Sequence, residues 1–484
     1  MNKSKSKRIK KEIYLSIKLA VIGGGPGGYA AAFLAADLGL EVTLIDREKN
    51  PGGVCLYRGC IPSKALLHVA KLLNETKEAK NMGLDFPPPK INLDRLREWK
   101  NEVVGKMTGG LGILSKQRKV NYIQGNASFI NSNKLKIEKN NGVAEELSFD
   151  KIIIATGSVI AAIPALNIQS KRLLNSTSAL DLPEIPKSLL VIGGGYIGLE
   201  LGSVYNSLGT KVSVVEMMPG LLPGADRDLV SYLSKRVEKN FEKVMLNSKV
   251  LEMKEADNGI KVKIKGGDGK EFEETYDYVL MSIGRRPETK GLGLENTKVQ
   301  INQRGWIKVN RQLMTDDPDI YAIGDIAGEP MLAHKASHEG RTAVEAIAGH
   351  KVAFEPKAIP AVVFTDPEIA WAGITENYAK ENGINYKAAK FPWAASGRAT
   401  TLDRSDGVTK IIIDPETERI IGVGICGPGA GELIAEGVLA IEMAANLTDL
   451  KLTIHPHPTL SETIMEAAEV FFGQSTHIYR PKRN

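Results

Sequence analysis

Short runs of consecutive apolar residues, each closing on glycine or an acid, set the rhythm of the first part of this chain. Leu19-Ala20-Val21-Ile22 predicts a buried strand, and Gly23-Gly24-Gly25-Pro26-Gly27-Gly28 predicts a tight turn after it. An Ala-rich helix over Tyr29 to Leu38 follows, then Glu41-Val42-Thr43-Leu44-Ile45-Asp46 as a second strand ending on an acid. The order recurs as Leu189-Leu190-Val191-Ile192, Gly193-Gly194-Gly195-Tyr196-Ile197-Gly198, a helix through Leu208, and Lys211-Val212-Ser213-Val214-Val215-Glu216. Gly23 and Asp46 are as far apart in sequence as Gly193 and Glu216. Three more runs read as buried strands meeting a turn: Lys151 to Gly157, Tyr278 to Gly284, and Ile320 to Asp325. After about residue 355 the texture changes to strands, an amphipathic helix near Gly431 to Ala445, and a polar tail.

One GxGxxG turn is a weak signal. Two copies, each set between strand and helix and each followed by a strand ending on an acid, are a strong one. The glycines allow a tight turn and let backbone N–H groups approach a pyrophosphate at a helix N-terminus. The acid accepts hydrogen bonds from an adenosine ribose. A carboxylate at Glu216 suits the free 2′-hydroxyl of NAD and repels the 2′-phosphate of NADP, and Met217 and Met218 follow it in place of an arginine. The bland alternative is a pair of tight βα turns that hold no nucleotide.

Composition narrows the classes. At 484 residues, with 43% hydrophobic and 25% charged residues, the chain is an ordinary globular protein of about three domains. Its net charge of +6 is concentrated in residues 1–12, and the rest is close to neutral, which excludes a broad basic face for nucleic acid. That tail lacks the apolar stretch of a secretory signal. It is Lys-rich rather than Arg-rich, a poor match to a mitochondrial presequence, and reads as a solvated, disordered segment. With 3 cysteines in the whole chain, a reducing compartment, here the cytoplasm, is expected.

Two of those cysteines lie in Gly52-Gly53-Val54-Cys55-Leu56-Tyr57-Arg58-Gly59-Cys60-Ile61-Pro62-Ser63-Lys64. A regular helix would hold residues at this spacing roughly 8–9 Å apart, too far for a disulfide. Cys55 is therefore expected in a loop or distorted first turn, with Cys60 leading into a helix. A ring this small would stabilise a fold by only about 2 kcal/mol, weak for a staple and better suited to a bond that opens and closes. A static disulfide or two buried thiols are the alternatives. Cys426, in an alternating strand from Ile420, reads as a core thiol.

These motifs resemble those of the pyridine nucleotide–disulfide oxidoreductases over nearly the whole chain after the tail. The resemblance is carried by the two glycine turns, the Cys55–Cys60 run, Ala155-Thr156-Gly157, Ile323-Gly324-Asp325, and His455-Pro456-His457-Pro458-Thr459-Leu460-Ser461-Glu462. Phe391 to Ala399 further resembles bacterial members, while Tyr57 departs from the Asn common there. The family implies an α/β fold: two Rossmann-like nucleotide-binding domains and a C-terminal α+β dimerisation domain. The expected division is 1–158 and 288–355 for the two parts of the FAD-binding domain, 159–287 for NAD, and 356–484 for the interface. The short reach from Asp46 to Cys55 also favours the first unit for the group that exchanges electrons with the cysteines.

By resemblance Gly23, Gly25, Gly28, Asp46, Lys64, Thr156, Gly157, Asp325 and Ala333 serve FAD. Gly193, Gly195, Gly198, Glu200, Glu216 and Gly284 serve NAD. The helix starting near Ala333 would aim its N-terminus at the flavin, with His334 in a plain capping or packing role. Lys64 would pair with Glu200 beside the ring. Cys55, Cys60, His457 and Glu462 would be catalytic, with His455 in support and no metal involved. Pro456 and Pro458 restrain the backbone around His457, and Glu462 would fix its tautomer. The implied activity is oxidation of protein-bound dihydrolipoyl groups with NAD⁺ as acceptor. The homodimer would supply His457 across its two-fold axis. Its partners would be the lipoylated acyltransferase of 2-oxo acid dehydrogenase complexes or the glycine cleavage carrier. Rival readings are an NADPH-dependent disulfide reductase of the glutathione or mercuric type, and a non-catalytic complex component.

Overall fold

Runs that are apolar on every residue suit strands covered on both faces, and they become the centres of two parallel sheets. The computed structural model describes residues 17–479, so the basic tail lies outside the described residues. Two units are resolved: Met1–Ala65 with Asn92–Ala161 and Gly284–Glu355, and Leu66–Ile91 with Ala162–Ile283 and Pro356–Asn484.

In the first unit Lys18–Ile22 lies between Glu41–Asp46 on one side and Lys151–Ile154 on the other, all parallel. Ile320–Ala322 extends the sheet beside Lys151–Ile154, and Asn121–Asn131 extends it beyond Glu41–Asp46. An antiparallel ribbon of Lys134–Lys139 and Ala144–Ser148 continues that far edge. Leu19, Ala20, Val21 and Ile152 to Ile154 are fully buried. Helix Pro26–Asp37 packs against helix Ala333–Ile347 at glycines: a Cβ on Gly340 would stand 2.6 Å from the Gly27 carbonyl oxygen.

The second unit repeats the plan. Ser188–Ile192 lies between Lys211–Val215 and Tyr278–Met281, with Lys243–Met245 and Leu173–Asn175 at the edges. In both sheets the order reverses at the strand that precedes the glycine turn. Such a switch point opens a crevice at the carboxyl ends of the strands, where nucleotides bind in open α/β sheets.

The C-terminal part of the second unit is a five-stranded antiparallel sheet, ordered Ala361–Val363, Ile369–Gly373, Ile420–Cys426, Val408–Ile413, Lys387–Pro392. Helices Ala430–Glu442 and Glu462–Phe471 pack on it. Its core gathers Trp393, Phe391, Ile411, Ile425 and Ile464. Cys426 is fully buried there, and burial pushes its thiol up from its ordinary value. Lys410 is buried as well. Its Nζ lies 2.5 Å from Asp226, 2.8 Å from Asp228 and 3.1 Å from Glu376. Lys390 joins Asp228 at 2.7 Å and Glu376 at 2.9 Å. Asp226 also accepts the Glu376 and Asn377 N–H groups that open helix Glu376–Glu381. No helix among the described residues is long and apolar enough to cross a membrane.

Candidate active site

The two glycine turns have the same local construction. Gly23 and Gly193 both adopt φ +102°, a conformation that L side chains rarely enter. A Cβ on Gly28 would overlap the Gly23 carbonyl oxygen, and one on Gly198 would stand 2.5 Å from that of Gly193. Gly25 and Gly195 cap helices Pro26–Asp37 and Tyr196–Leu208 in extended conformation, and neither has a side chain to cover the first N–H groups. Each terminal acid clasps its own turn. Asp46 accepts the Gly24 N–H at 2.6 Å and the Glu48 N–H at 2.8 Å. Glu216 accepts the Gly194 N–H at 2.6 Å and the Met218 N–H at 2.8 Å. A carboxylate offers about four acceptor positions, so each acid keeps capacity for a ribose diol. Burial raises the Asp46 carboxyl from its ordinary value, opposed by the Gly24 N–H and by Arg47 and Arg58.

Beside the first turn, Asp325 accepts a hydrogen bond from Ser158 at 2.5 Å, and Ser158 accepts one from Arg285 Nε at 2.7 Å. Thr156 Oγ1 donates to the Glu288 carbonyl at 2.9 Å, and the Glu288 N–H donates to Gly157 at 3.0 Å. Gly284 receives the Ala161 N–H at 3.0 Å and belongs to the first unit, whereas the other residues expected to serve NAD belong to the second. Leu332 precedes helix Ala333–Ile347 in extended conformation and has no polar side chain to cap it. The sequence reading missed the buried pair Lys335–Glu339, 2.7 Å apart, whose carboxylate also accepts the Gly324 N–H at 2.6 Å and so fixes the turn that carries Asp325. Burial raises the Glu339 carboxyl, opposed by Lys335. The spacing of Lys335 and Glu339 on one helix was the available signal.

The cysteine run departs from expectation in one respect. Cys55 lies in a short helix of its own, Gly53–Arg58, rather than in a loop or distorted first turn. That helix breaks at Gly59, with φ −145° and ψ −114°, and Cys60 opens helix Cys60–Glu78 as expected. A Cβ on Gly59 would stand 2.9 Å from the Val54 carbonyl oxygen, so the break needs glycine. Folding the chain back there lets the two sulfurs meet. Both are thiols in this structure, joined by a side-chain hydrogen bond, with Cys55 half-buried and Cys60 exposed. The bond to Cys60 and then burial hold the Cys55 thiol far above its ordinary value, while the Cys60 N–H and the Lys64 ammonium pull it down. Lys64 follows Cys60 one turn on in the same helix. Glu200, buried in helix Tyr196–Leu208, accepts the Phe364 N–H at 3.0 Å.

His457 and Glu462 come together as expected from their spacing. His457 Nδ1 lies 2.9 Å from Glu462 Oε1, and Oε2 accepts the Thr459 N–H at 2.7 Å. Burial pushes the Glu462 carboxyl up, but the Thr459 N–H and His457 outweigh it and hold the group below its ordinary range. With Nδ1 on the carboxylate, Nε2 is the ring nitrogen left for an incoming proton, and the imidazole is 73% exposed. His455 is different: Nε2 meets Glu436 at 2.8 Å and Nδ1 meets the Thr453 carbonyl at 2.9 Å, so both nitrogens are engaged.

Two dinucleotide-type crevices and a pair of adjacent thiols define an oxidoreductase that couples a thiol–disulfide pair to bound nucleotides. The chain belongs to the pyridine nucleotide-disulphide oxidoreductase family, whose pattern it matches over residues 17–340, with the family's dimerisation domain at residues 359–468. It is an enzyme of FAD and NAD. Similar curated proteins include the dihydrolipoyl dehydrogenase of Haemophilus influenzae, 48% identical over 97% of this chain and 98% of that protein. That of Geobacillus stearothermophilus is 46% identical over 95% and 97%. Among solved structures, LpdA of Mycobacterium tuberculosis superposes with a TM-score of 0.87 at 28% identity, covering 94% of this chain and 99% of its own. The HOCl-induced flavoprotein disulfide reductase RclA of Escherichia coli does so with a TM-score of 0.83 at 27% identity, covering 94% and 99%.

Proposed function

We propose that this chain oxidises protein-bound dihydrolipoyl groups to lipoyl groups and passes the electrons to NAD⁺. The observation that carries the reading is the Cys55–Cys60 pair, brought together by the Gly59 break shortly after the first strand–turn–helix–strand unit. In the working cycle the pair starts as a disulfide. His457 Nε2 takes a proton from one substrate thiol, and the thiolate attacks Cys55. The Cys55–Cys60 bond breaks, a mixed disulfide forms, and Cys60 leaves as thiolate. The second substrate thiol displaces Cys55, which closes the lipoyl ring and leaves the enzyme pair reduced. The place of Cys60 at the start of helix Cys60–Glu78, where unpaired backbone N–H groups favour negative charge, supports it as the thiolate of that pair. FAD, when bound, supplies two-electron transfer from the dithiol to NAD⁺.

The same reading assigns Gly23, Gly25, Gly28, Asp46, Lys64, Thr156, Gly157, Asp325 and Ala333 to FAD, and Gly193, Gly195, Gly198, Glu200, Glu216 and Gly284 to NAD. The paired clasps on Asp46 and Glu216 support both assignments. The FAD domain comprises 1–158 and 288–355, the NAD domain 159–287 and the interface 356–484. The enzyme works as a cytoplasmic homodimer in which His457 and Glu462 serve the cysteines of the partner subunit. Its macromolecular substrate is the lipoylated acyltransferase of a 2-oxo acid dehydrogenase complex or the glycine cleavage carrier.

The test is NADH formation from NAD⁺ with dihydrolipoamide and with a reduced lipoylated carrier domain. Wild type should turn over both, and Cys60→Ser should lose about 10³-fold or more with its FAD retained. Full turnover by Cys60→Ser, or a strong preference for NADP⁺, sinks the reading.

A further inference from the structure

The connection from Asp46 to Cys55 has little slack. The Arg47 carbonyl accepts from Asn140 Nδ2 at 2.7 Å, and the Glu48 carbonyl accepts from Tyr122 Oη at 2.9 Å and Gln124 Nε2 at 3.2 Å. The Glu48 carboxylate pairs with the Arg58 guanidinium. Further along, the Gly52 N–H donates to the Gly24 carbonyl at 2.7 Å, which bonds this loop to the first glycine turn. Helix Leu93–Gln117 holds its other side. A Cβ on Gly112 would overlap Asn50 Oδ1, and one on Gly52 would stand 3.1 Å from Thr108 Cγ2.

Tyr57 joins the cysteine helix to this loop. Its Oη donates to the Asn50 carbonyl at 3.1 Å and accepts the Asn50 N–H at 3.2 Å, so one hydroxyl satisfies both polar groups of one residue. Tyr57 sits in helix Gly53–Arg58 between the two cysteines. The guanidinium of Arg58 lies 6.0 Å from its ring centre. Whether two thiols close into a disulfide depends on how often their sulfurs meet, and that rises when the helix carrying one of them is held still.

We propose that Tyr57 is a positioning residue for the Cys55–Cys60 pair: its hydroxyl fixes helix Gly53–Arg58 to the loop held by the first glycine turn, and so favours the disulfide over the dithiol. This rests on the reading that the pair cycles between those states.

The experiment compares FAD-loaded wild type, Tyr57→Phe and Gly112→Ala. Tyr57→Phe keeps the ring and deletes both hydroxyl bonds, and Gly112→Ala sets a methyl group against the Asn50 side chain from its opposite side. Each protein is equilibrated anaerobically in mixtures of reduced and oxidised dithiothreitol, quenched with iodoacetamide, and its alkylated cysteines counted by mass. Both variants should shift the equilibrium about three- to tenfold toward the dithiol, with FAD content unchanged. Constants within about twofold of wild type, a shift toward the disulfide, or a fall in melting temperature alone overturns the proposal. A wild-type pair that does not cycle sinks the functional reading and this inference together. A wild type that cycles beside two indifferent variants sinks this inference alone.

Discussion

Glu462 does two things for His457. It holds the Nδ1 side of the ring and leaves Nε2 toward solvent, 2.9 Å of hydrogen bond fixing the tautomer a base needs. Glu462→Gln should therefore lower dihydrolipoamide turnover about tenfold or more while leaving thiol–disulfide exchange of the cysteines with dithiothreitol intact. The same clasp has a pH signature. Because the folded carboxyl is held below its ordinary value, its contribution to stability is present above the unfolded value and is lost as pH falls through the folded one. Urea midpoints followed from pH 7 to about pH 3 should fall more steeply in wild type than in Glu462→Gln. Much at this scale was legible in the chain itself. His457 and Glu462 are close in sequence, and the proline-bounded loop can only fold them toward each other. The hydroxyl of Tyr57 was not legible, because a tyrosine within an apolar stretch carries no mark of which backbone groups it will reach.

Among the elements, the duplicated strand–turn–helix units were readable because their signal is local: glycines where a Cβ would clash and an acid at a fixed remove. The short helix around Cys55 was expected as a loop or distorted first turn. A regular helix cannot bring the cysteines together, and the chain resolves that constraint with a break at Gly59 rather than by abandoning helix. The charge cluster around Lys410 left no local trace. Its partners come from helix Arg227–Asn240 and its cap, from helix Glu376–Glu381 and from strand Lys387–Pro392. The lysine fills the space between three carboxylates that would otherwise repel one another. Removing one partner of a buried charge set leaves the others uncompensated. Lys410→Met should destabilise the protein by about 3–5 kcal/mol in urea unfolding. Asp226→Asn with Lys410→Met should recover part of that loss, since it removes the carboxylate that Lys390 does not reach.

At the level of the whole molecule, the proposed sharing of catalysis across a two-fold axis makes a quantitative claim about mixtures. Cys60→Ser and His457→Ala protomers should each be inactive as homodimers, whereas a hybrid dimer would pair an intact cysteine couple with an intact base at one of its two sites. Random reassociation of equal amounts should restore about one quarter of wild-type turnover. Recovery near zero would mean that each subunit works with its own imidazole. A second consequence belongs to the clasps of Asp46 and Glu216. Each acid closes its own turn, and on the proposed assignment it also meets a ribose, so nucleotide preference and loop architecture would be encoded by one side chain. A lineage drifting toward a phosphorylated dinucleotide would have to rebuild the loop from Glu216 to Leu222 along with the charge. Coenzyme choice in this scaffold is thereby buffered against single-step mutation.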